Sequence, residues 1–299
     1  MRQISLFDDF VTDEREDKTI RTDWLLIDGN NLLNRAFYAT ANNKFTAPDG
    51  TPTNAVSLFL RMALNYQKQF NTNIVVFFDK GKGFRKKLYP EYKEGRNETP
   101  ELLERQFPVI REVLTSAGIP YFWNDDLEAD DLIGAACNSL SGHKYILSND
   151  KDLLQLIRND VTVVVRRKNN EDILMTPHQF SLEWDELIPQ QIVDIKSLAG
   201  DTSDNIKGVP GVGNKGALKI IKHFGCVEKI EMPFPKEIKR YEKKFDDNGM
   251  KEALFAKQLT TLKVDTPLQI KEYEINESGL IKICEKLAMK SIIDLIMYY

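Results

Sequence analysis

Nine carboxylates in this 299-residue chain fall where a merely solvated surface does not need them. Asp28, Asp79 and Asp150 each close a short stretch that begins with an apolar run (LLI, IVVFF and YIL). Such runs read as buried strands, and open α/β sheets bind ligands outside the carboxyl ends of their strands. Three acids placed there would converge on one crevice. Glu128, Asp130 and Asp131 form another group at a helix start, where Glu128 and Asp131, three apart, can share a face. Asp152 sits two residues after Asp150, and Asp201 and Asp204 form a further pair in GDTSDN. Crowded carboxylates repel one another, so divalent cations are expected to neutralise them. An oxygen-only set suits Mg2+ or Mn2+. Two such ions about 4 Å apart can activate a water and stabilise the leaving oxygen in phosphodiester hydrolysis. One such Asp alone is more often a cap or a turn, and it is the ensemble that points to chemistry. Asp125, Asp126 and Asp160 lack this placement and read as surface charge.

The elements that must hold these acids follow from periodicity. Strands are expected over 24–27, 74–78, 145–147 and 160–166, and helices over 31–39, 54–70 and 100–117, with another from about 128. Thr99 and Pro100 read as cap and first residue of the third helix. Alternating strands and helices predict an α/β fold with a mainly parallel central sheet flanked by helices. From about residue 189 helices dominate. Residues 1–23 read as a polar tail, 24–188 as the α/β core and 189–299 as a helical region.

Composition narrows the class. A hydrophobic content of 42% supports a real core, and no apolar run is long enough for a membrane span. Cys137, Cys226 and Cys284 are far apart, and His143, His178 and His223 are isolated, so neither a disulfide framework nor a zinc site is expected. With no signal peptide apparent, a cytoplasmic protein is expected. The net charge of −4 conceals blocks of +5 over 80–96, −5 over 120–160 and +4 over 205–250. Basic blocks can hold a polyanion and the acidic one cations. In the first block Tyr89 and Tyr92 interleave with Arg85, Lys86, Lys87, Lys93 and Arg96, a pattern that offers phosphate contacts and base-stacking surfaces. In the last, Gly208, Gly211 and Gly213 precede a periodic helix bearing Lys215, Lys219 and Lys222, which fits a helix-hairpin-helix over about 198–225.

Five segments together resemble the flap endonuclease/5′-nuclease family: LLIDGNNLLNRAFYA (25–39), FDKGKGFRKKLYPEYKEGR (78–96), EADDLIG (128–134), SNDKDLLQL (148–156) and LAGDTSDNIKGVPGVGNKGALKII (198–221). The resemblance implies a PIN-like nuclease core, an arch over about 80–118 and cleavage of DNA near a 5′ single-strand/duplex junction. It implies one metal cluster of Asp28, Asp79, Glu128, Asp130 and Asp131 and a second of Asp150, Asp152, Asp201 and Asp204. It places Lys93 at the scissile phosphate, with Arg85 and Arg96 as further arch phosphate contacts. Arg35, with Phe37 or Tyr38, falls near the unpaired nucleotide, and the hairpin would grip duplex DNA and hold K+. RNA–DNA primer junctions are compatible substrates. With no room for a polymerase domain, a free-standing, monomeric nuclease is expected. A non-cleaving branched-DNA binder and an RNA-processing nuclease of similar core stay open as alternatives. Finally, Gln3, Leu6 and Phe7 in the tail resemble a short peptide that binds bacterial sliding clamps.

Overall fold

The computed structural model describes residues 21–298 apart from 44, 82, 168–170 and 272. The tail motif at Gln3, Leu6 and Phe7 lies outside the described residues. The chain runs β1 (Asp23–Asp28), α1 (Gly29–Ala39), α2 (Asn54–Phe70), β2 (Thr72–Phe77), α3 (Gly83–Leu88), α4 (Glu101–Glu104), α5 (Gln106–Ser116) and β3 (Tyr121–Phe122). It continues through α6 (Ala129–Ser139), β4 (Lys144–Leu147), β5 (Val161–Arg166), β6 (Asp172–Met175) and α7 (Pro177–Glu183). The last elements are α8 (Ile192–Ala199), α9 (Asn214–Phe224), α10 (Asp247–Thr260), α11 (Glu277–Lys286) and α12 (Lys290–Met297).

The strands form one sheet in the order β3-β2-β1-β4-β5-β6, parallel except for the β5–β6 pair. Its period-2 alternation builds two apolar layers. Trp24 and Leu26 of β1 face Leu132, Ile133 and Ala136 of α6, while Leu25 and Ile27 face Leu32, Leu33 and Phe59 of α1 and α2. The strand order reverses between β1 and β4, because β2 and β3 add outward on one side before the chain returns to the other. That switch point is where such a sheet opens a crevice.

Several expectations need correction. The helix expected over 100–117 is broken at Arg105 into α4 and α5, and Pro100, not Thr99, is its cap. The break frees Gln106, which is fully buried. Its Oε1 accepts the Ala55 and Val56 N–H groups at 2.9 and 3.3 Å. A side chain from another helix thus caps α2, whose own Thr53 provides no side-chain bond. The short edge strands β3 and β6 have no counterpart in the sequence reading. The region 189–299 also divides. Leu280, Ile283, Leu287 and Ile292 of the last two helices and their link join the α1/α2 layer of the core instead of the hairpin.

Candidate metal centre and its arch

The acids assemble around the switch point. Asp28 is the last residue of β1 and the N-cap of α1. Its Oδ1 accepts Asn31 N–H at 3.0 Å, and its Oδ2 accepts the Ser148 hydroxyl, beyond β4, at 2.9 Å. This bond stitches the ends of β1 and β4 together. Asp79, two residues past β2, accepts Ala129 N–H at the start of α6 at 2.8 Å. Asp130, Asp150 and Asp152 present carboxylate oxygens that all lie within 4.8 Å of one another. Three hard oxygen donors this close, from one helix and one strand-end loop, fit a divalent cation. The trio joins Asp130 to Asp150 and Asp152, so it cuts across the two expected clusters.

Crowding and burial perturb these groups. Burial first, then the charges of Asp79 and Asp150, push the Asp28 carboxyl up to about 7 despite its two hydrogen bonds. Asp152 is pushed up to about 6, by burial first, with Lys196 opposing and Asp150 and Asp204 reinforcing. Asp130 is raised well above the carboxylate range by burial and by Asp150, Asp28, Asp79 and Asp152. A carboxyl with a raised folded-state pKa binds protons that the unfolded chain releases. Its contribution to stability is therefore present at low pH and is lost as pH rises through its folded value. Without metal, stability should fall from about pH 4, where these carboxyls ionise in the unfolded chain, and level off above about pH 6 to 7, where Asp152 and Asp28 have ionised in the folded one. Metal ligation requires the ionised forms. The rise in melting temperature produced by Mg2+ should consequently grow from about pH 5.5 to about pH 8. A rise that shrank over this interval would contradict the assignment.

The remaining acids are matched by cations. Asp131 is fully buried, and all its acceptor capacity is used inside the protein. Arg85 Nη1 and Nη2 donate to it at 2.7 and 2.8 Å, and Glu128 N–H and Lys263 N–H at 3.0 and 2.8 Å. Asp131, expected among the metal ligands, is committed here to this ion pair, because the residue is the third of α6 and turns back onto the helix start. Arg85 is likewise withdrawn from phosphate. Besides Asp131 it donates to Leu259 O, Thr261 O and Glu128 Oε2 at 2.7, 3.1 and 3.1 Å, which commits all five of its N–H groups. It therefore ties α3, α6 and the end of α10 together.

Lys93 and Arg96 do reach the site. Lys93 Nζ lies 2.6 Å from Glu128 Oε1, and Lys93 N–H donates to Asp204 O at 2.9 Å. Its backbone is left-handed, with φ of 56°. Burial lowers the Lys93 pKa, but the charges of Glu128 and Asp204 outweigh it and leave it raised. Arg96 pairs with Asp204 through Nη2 and donates to Ser203 O from Nε at 3.1 Å. Tyr92, expected as a stacking platform, is instead buried, with its hydroxyl 2.9 Å from Glu128 Oε2 and 2.8 Å from Asp204 Oδ2. Its ring lies beneath the Lys93 ammonium, 4.9 Å from the centroid.

Lys196 of α8 escaped the sequence reading. It contacts Asp152 Oδ1 and lies 2.6 Å from Asp201 Oδ2. Only its position five residues before Asp201 signals this. Asp160, read as surface charge, is the counterion of the buried Lys144 and of Arg158, which hold its carboxyl down at about 2 against the opposing effect of burial.

The outlying residues take separate places. Arg35 contacts Met62 Sδ at 3.4 Å and has a second guanidinium nitrogen buried without a partner. Phe37 meets Tyr38 edge-on at 5.4 Å, and Tyr38 is exposed. In the hairpin, a Cβ on Gly208 would lie 2.3 Å from Gly200 N, so only glycine permits that approach. Gly211 has φ of 81°, whereas Gly213 is the extended N-cap of α9, with open space where a Cβ would point. Lys215 and Lys219 are exposed on α9.

An open α/β sheet with a carboxylate cluster at its switch point, and with Lys93 and Arg96 paired to two of the neighbouring acids, defines the class of protein. The 5′-3′ exonuclease N-terminal resolvase-like domain matches residues 23–185, and the 5′-3′ exonuclease C-terminal SAM fold matches residues 187–281. The chain belongs to the 5′-3′ exonuclease family. DNA polymerase I of Bacillus subtilis (strain 168) is 36% identical over 293 residues, which covers 92% of this chain and 32% of the polymerase. The chain thus spans about a third of the length of such relatives. The bacteriophage T5 flap endonuclease, in a pseudo-enzyme-product complex with DNA and metal ions, superposes with a TM-score of 0.64 at 22% identity, covering 92% of this chain and 99% of that one. The catalytic core of Rad2 with a DNA substrate gives 0.61 at 15% identity, covering 93% and 92%. At these identities the two structures share the fold. Among the described residues no helix is long and apolar enough to cross a membrane.

Proposed function

We propose that this chain is a divalent-metal-dependent, structure-specific 5′-nuclease that hydrolyses DNA phosphodiesters where a 5′ single strand or flap meets a duplex. The observation that carries the reading is the Asp130, Asp150 and Asp152 trio, with oxygens within 4.8 Å of one another, beside an arch that brings Lys93 to Glu128 and Arg96 to Asp204. Asp130, Asp150 and Asp152, with Asp28 and Asp79 nearby, would hold one ion, and Asp152, Asp201 and Asp204 a second. Two bound ions, Mg2+ or Mn2+, would supply an activated water and charge stabilisation at the leaving oxygen. The protein's own part is orientation. Lys93, released from Glu128, would meet the scissile phosphate, where a cation stabilises the charge that develops. The start of α9, flanked by Lys215 and Lys219, would grip a duplex phosphate without reading sequence. For the K+ ion we propose the open cleft of about 540 Å3 beside the hairpin, lined by Gly208, Gly211, Gly213 and Glu252.

The test is labelled 5′-flap DNA with Mg2+, with the products sized. Cutting near the junction supports the reading, and an intact flap at saturating Mg2+ removes it. Lys93→Ala should lower the single-turnover rate about 100-fold while changing affinity by less than about 3-fold, the signature of a contact made in the transition state. Lys215→Ala should instead weaken binding and make its salt dependence shallower by about one unit. A Lys93→Ala rate equal to wild type would remove the arch role.

Junctions carrying RNA primers fall within the same substrate class, and we place the protein in the cytoplasm as a monomer. The tail motif at Gln3, Leu6 and Phe7 is proposed to bind a bacterial sliding clamp, with Leu6 and Phe7 filling an apolar pocket and Gln3 at its rim. Calorimetric titration with the cognate clamp should show binding by the full chain and none after removal of residues 1–10. Equal heats from both would end this idea.

A further inference from the structure

Among the described residues, Lys196 is the one lysine placed directly between two of the carboxylates assigned above to the second ion. Its side chain is 16% exposed, against 17% for Asp152 and 10% for Asp201. Two of its three ammonium protons are committed, one to each acid. The placement is built into the backbone. α8 ends at Ala199, and Gly200, with φ of 78°, turns the chain so that Asp201 returns to the helix end. Asp201 is then fixed by a reciprocal backbone pair with Ile206, at 2.9 and 2.8 Å. Asp152 belongs at once to the trio and to this pair. Of the other arch and core cations, Lys93 sits on Glu128 and Arg85 on Asp131, while Arg96 pairs with Asp204, the third carboxylate of this set, and leaves the space between Asp152 and Asp201 to Lys196.

We propose that Lys196 is an internal counterion that occupies the position of the second divalent cation, so that this ion binds only by displacing the Lys196 ammonium from between Asp152 and Asp201. The inference rests on the metal reading of the site. An ammonium and a divalent ion carry like charge and seek the same oxygens, so the two exclude each other there. The ion at the trio keeps Asp130 and Asp150 whatever Lys196 does. The two sites should therefore differ in affinity in the DNA-free protein, the first tight and the second weak. Lys196 makes occupancy of the second site conditional on something that draws the ammonium away, and a DNA phosphate at the site is a suitable anion. Lys196 is thus a positioning residue, acting through Asp152 and Asp201.

The experiment is Mn2+ binding to the DNA-free full chain, followed by electron paramagnetic resonance of free Mn2+. Wild type should show one tight and one weak site. Lys196→Met removes the charge at similar length and should tighten the weak site about tenfold, with a smaller change at the tight one. Lys196→Arg keeps the charge and should leave the weak constant within about twofold of wild type. Lys196→Gln, checked by thermal melting, guards against a fold defect particular to methionine and should match Lys196→Met. A weak constant that is unchanged or weaker in both neutral variants overturns the counterion role alone. A wild-type chain that binds no Mn2+ overturns the metal reading together with it.

Discussion

Asp150→Asn should reduce single-turnover cleavage of a 5′-flap substrate by about 1,000-fold, equivalent to about 4 kcal/mol of transition-state stabilisation. The change is conservative for the fold. Asp150 Oδ1 accepts Asp152 N–H at 2.9 Å, and an amide oxygen can keep that bond. What is lost is one anionic oxygen of the trio and one of the charges that raise Asp28 and Asp130. Affinity for flap DNA should hold or tighten, since a negative charge facing phosphate is removed. The melting temperature without metal should hold or rise for the same reason. Asp201→Asn should act in the same direction on cleavage. Turnover near wild type at saturating Mg2+ in Asp150→Asn would defeat the assignment of the trio as the metal centre.

Arg85→Met should destabilise the fold by about 3–5 kcal/mol, the range for removing one partner of a buried ion pair. The variant leaves Asp131 with no cation at a position of zero exposure. It also strands Leu259 O and Thr261 O at the end of α10. Urea unfolding measures the loss directly. Exchanging both partners for apolar residues, Arg85→Met with Asp131→Leu, should recover a large part of it, because no buried charge is then left unpaired. Among molecules still folded, affinity for flap DNA should change little. A loss of affinity with stability intact would mean that Arg85 does serve phosphate after all.

The parts of the fold that were legible in the sequence are those with enough residues to show a period. α2 matched at both ends because Val56, Phe59, Leu60, Ala63 and Leu64 share a face over 17 residues, and all five are buried. β3 has two residues and β6 four, too few for a pattern, and both exist because a neighbouring strand supplies their hydrogen bonds. In the site, the acids at strand ends were legible because a short continuous apolar run marks a buried strand and the polar residues after it mark where the strand stops. The ion pair of Asp131 was not legible because spacing of three is shared by a helix face and by a turn back onto the helix start, and only the partners distinguish them. Arg85, Tyr92 and Lys196 depended on contacts with residues 259, 128 and 152, and nothing local announces such partners.

The last two helices have a consequence for synthesis. Leu280, Ile283, Leu287 and Ile292 complete the apolar layer begun by Leu25, Ile27 and Phe59, more than 200 residues earlier in the chain. A ribosome delivers residues in order, so this face of the sheet stays partly uncovered until roughly the last twenty residues of this sequence have emerged. The layer therefore closes late, through contacts of long sequence separation, whose loop-closure entropy slows folding. Until residues 280–292 emerge, the nascent chain presents a half-covered apolar sheet, the kind of surface that chaperones hold and that aggregates when they do not.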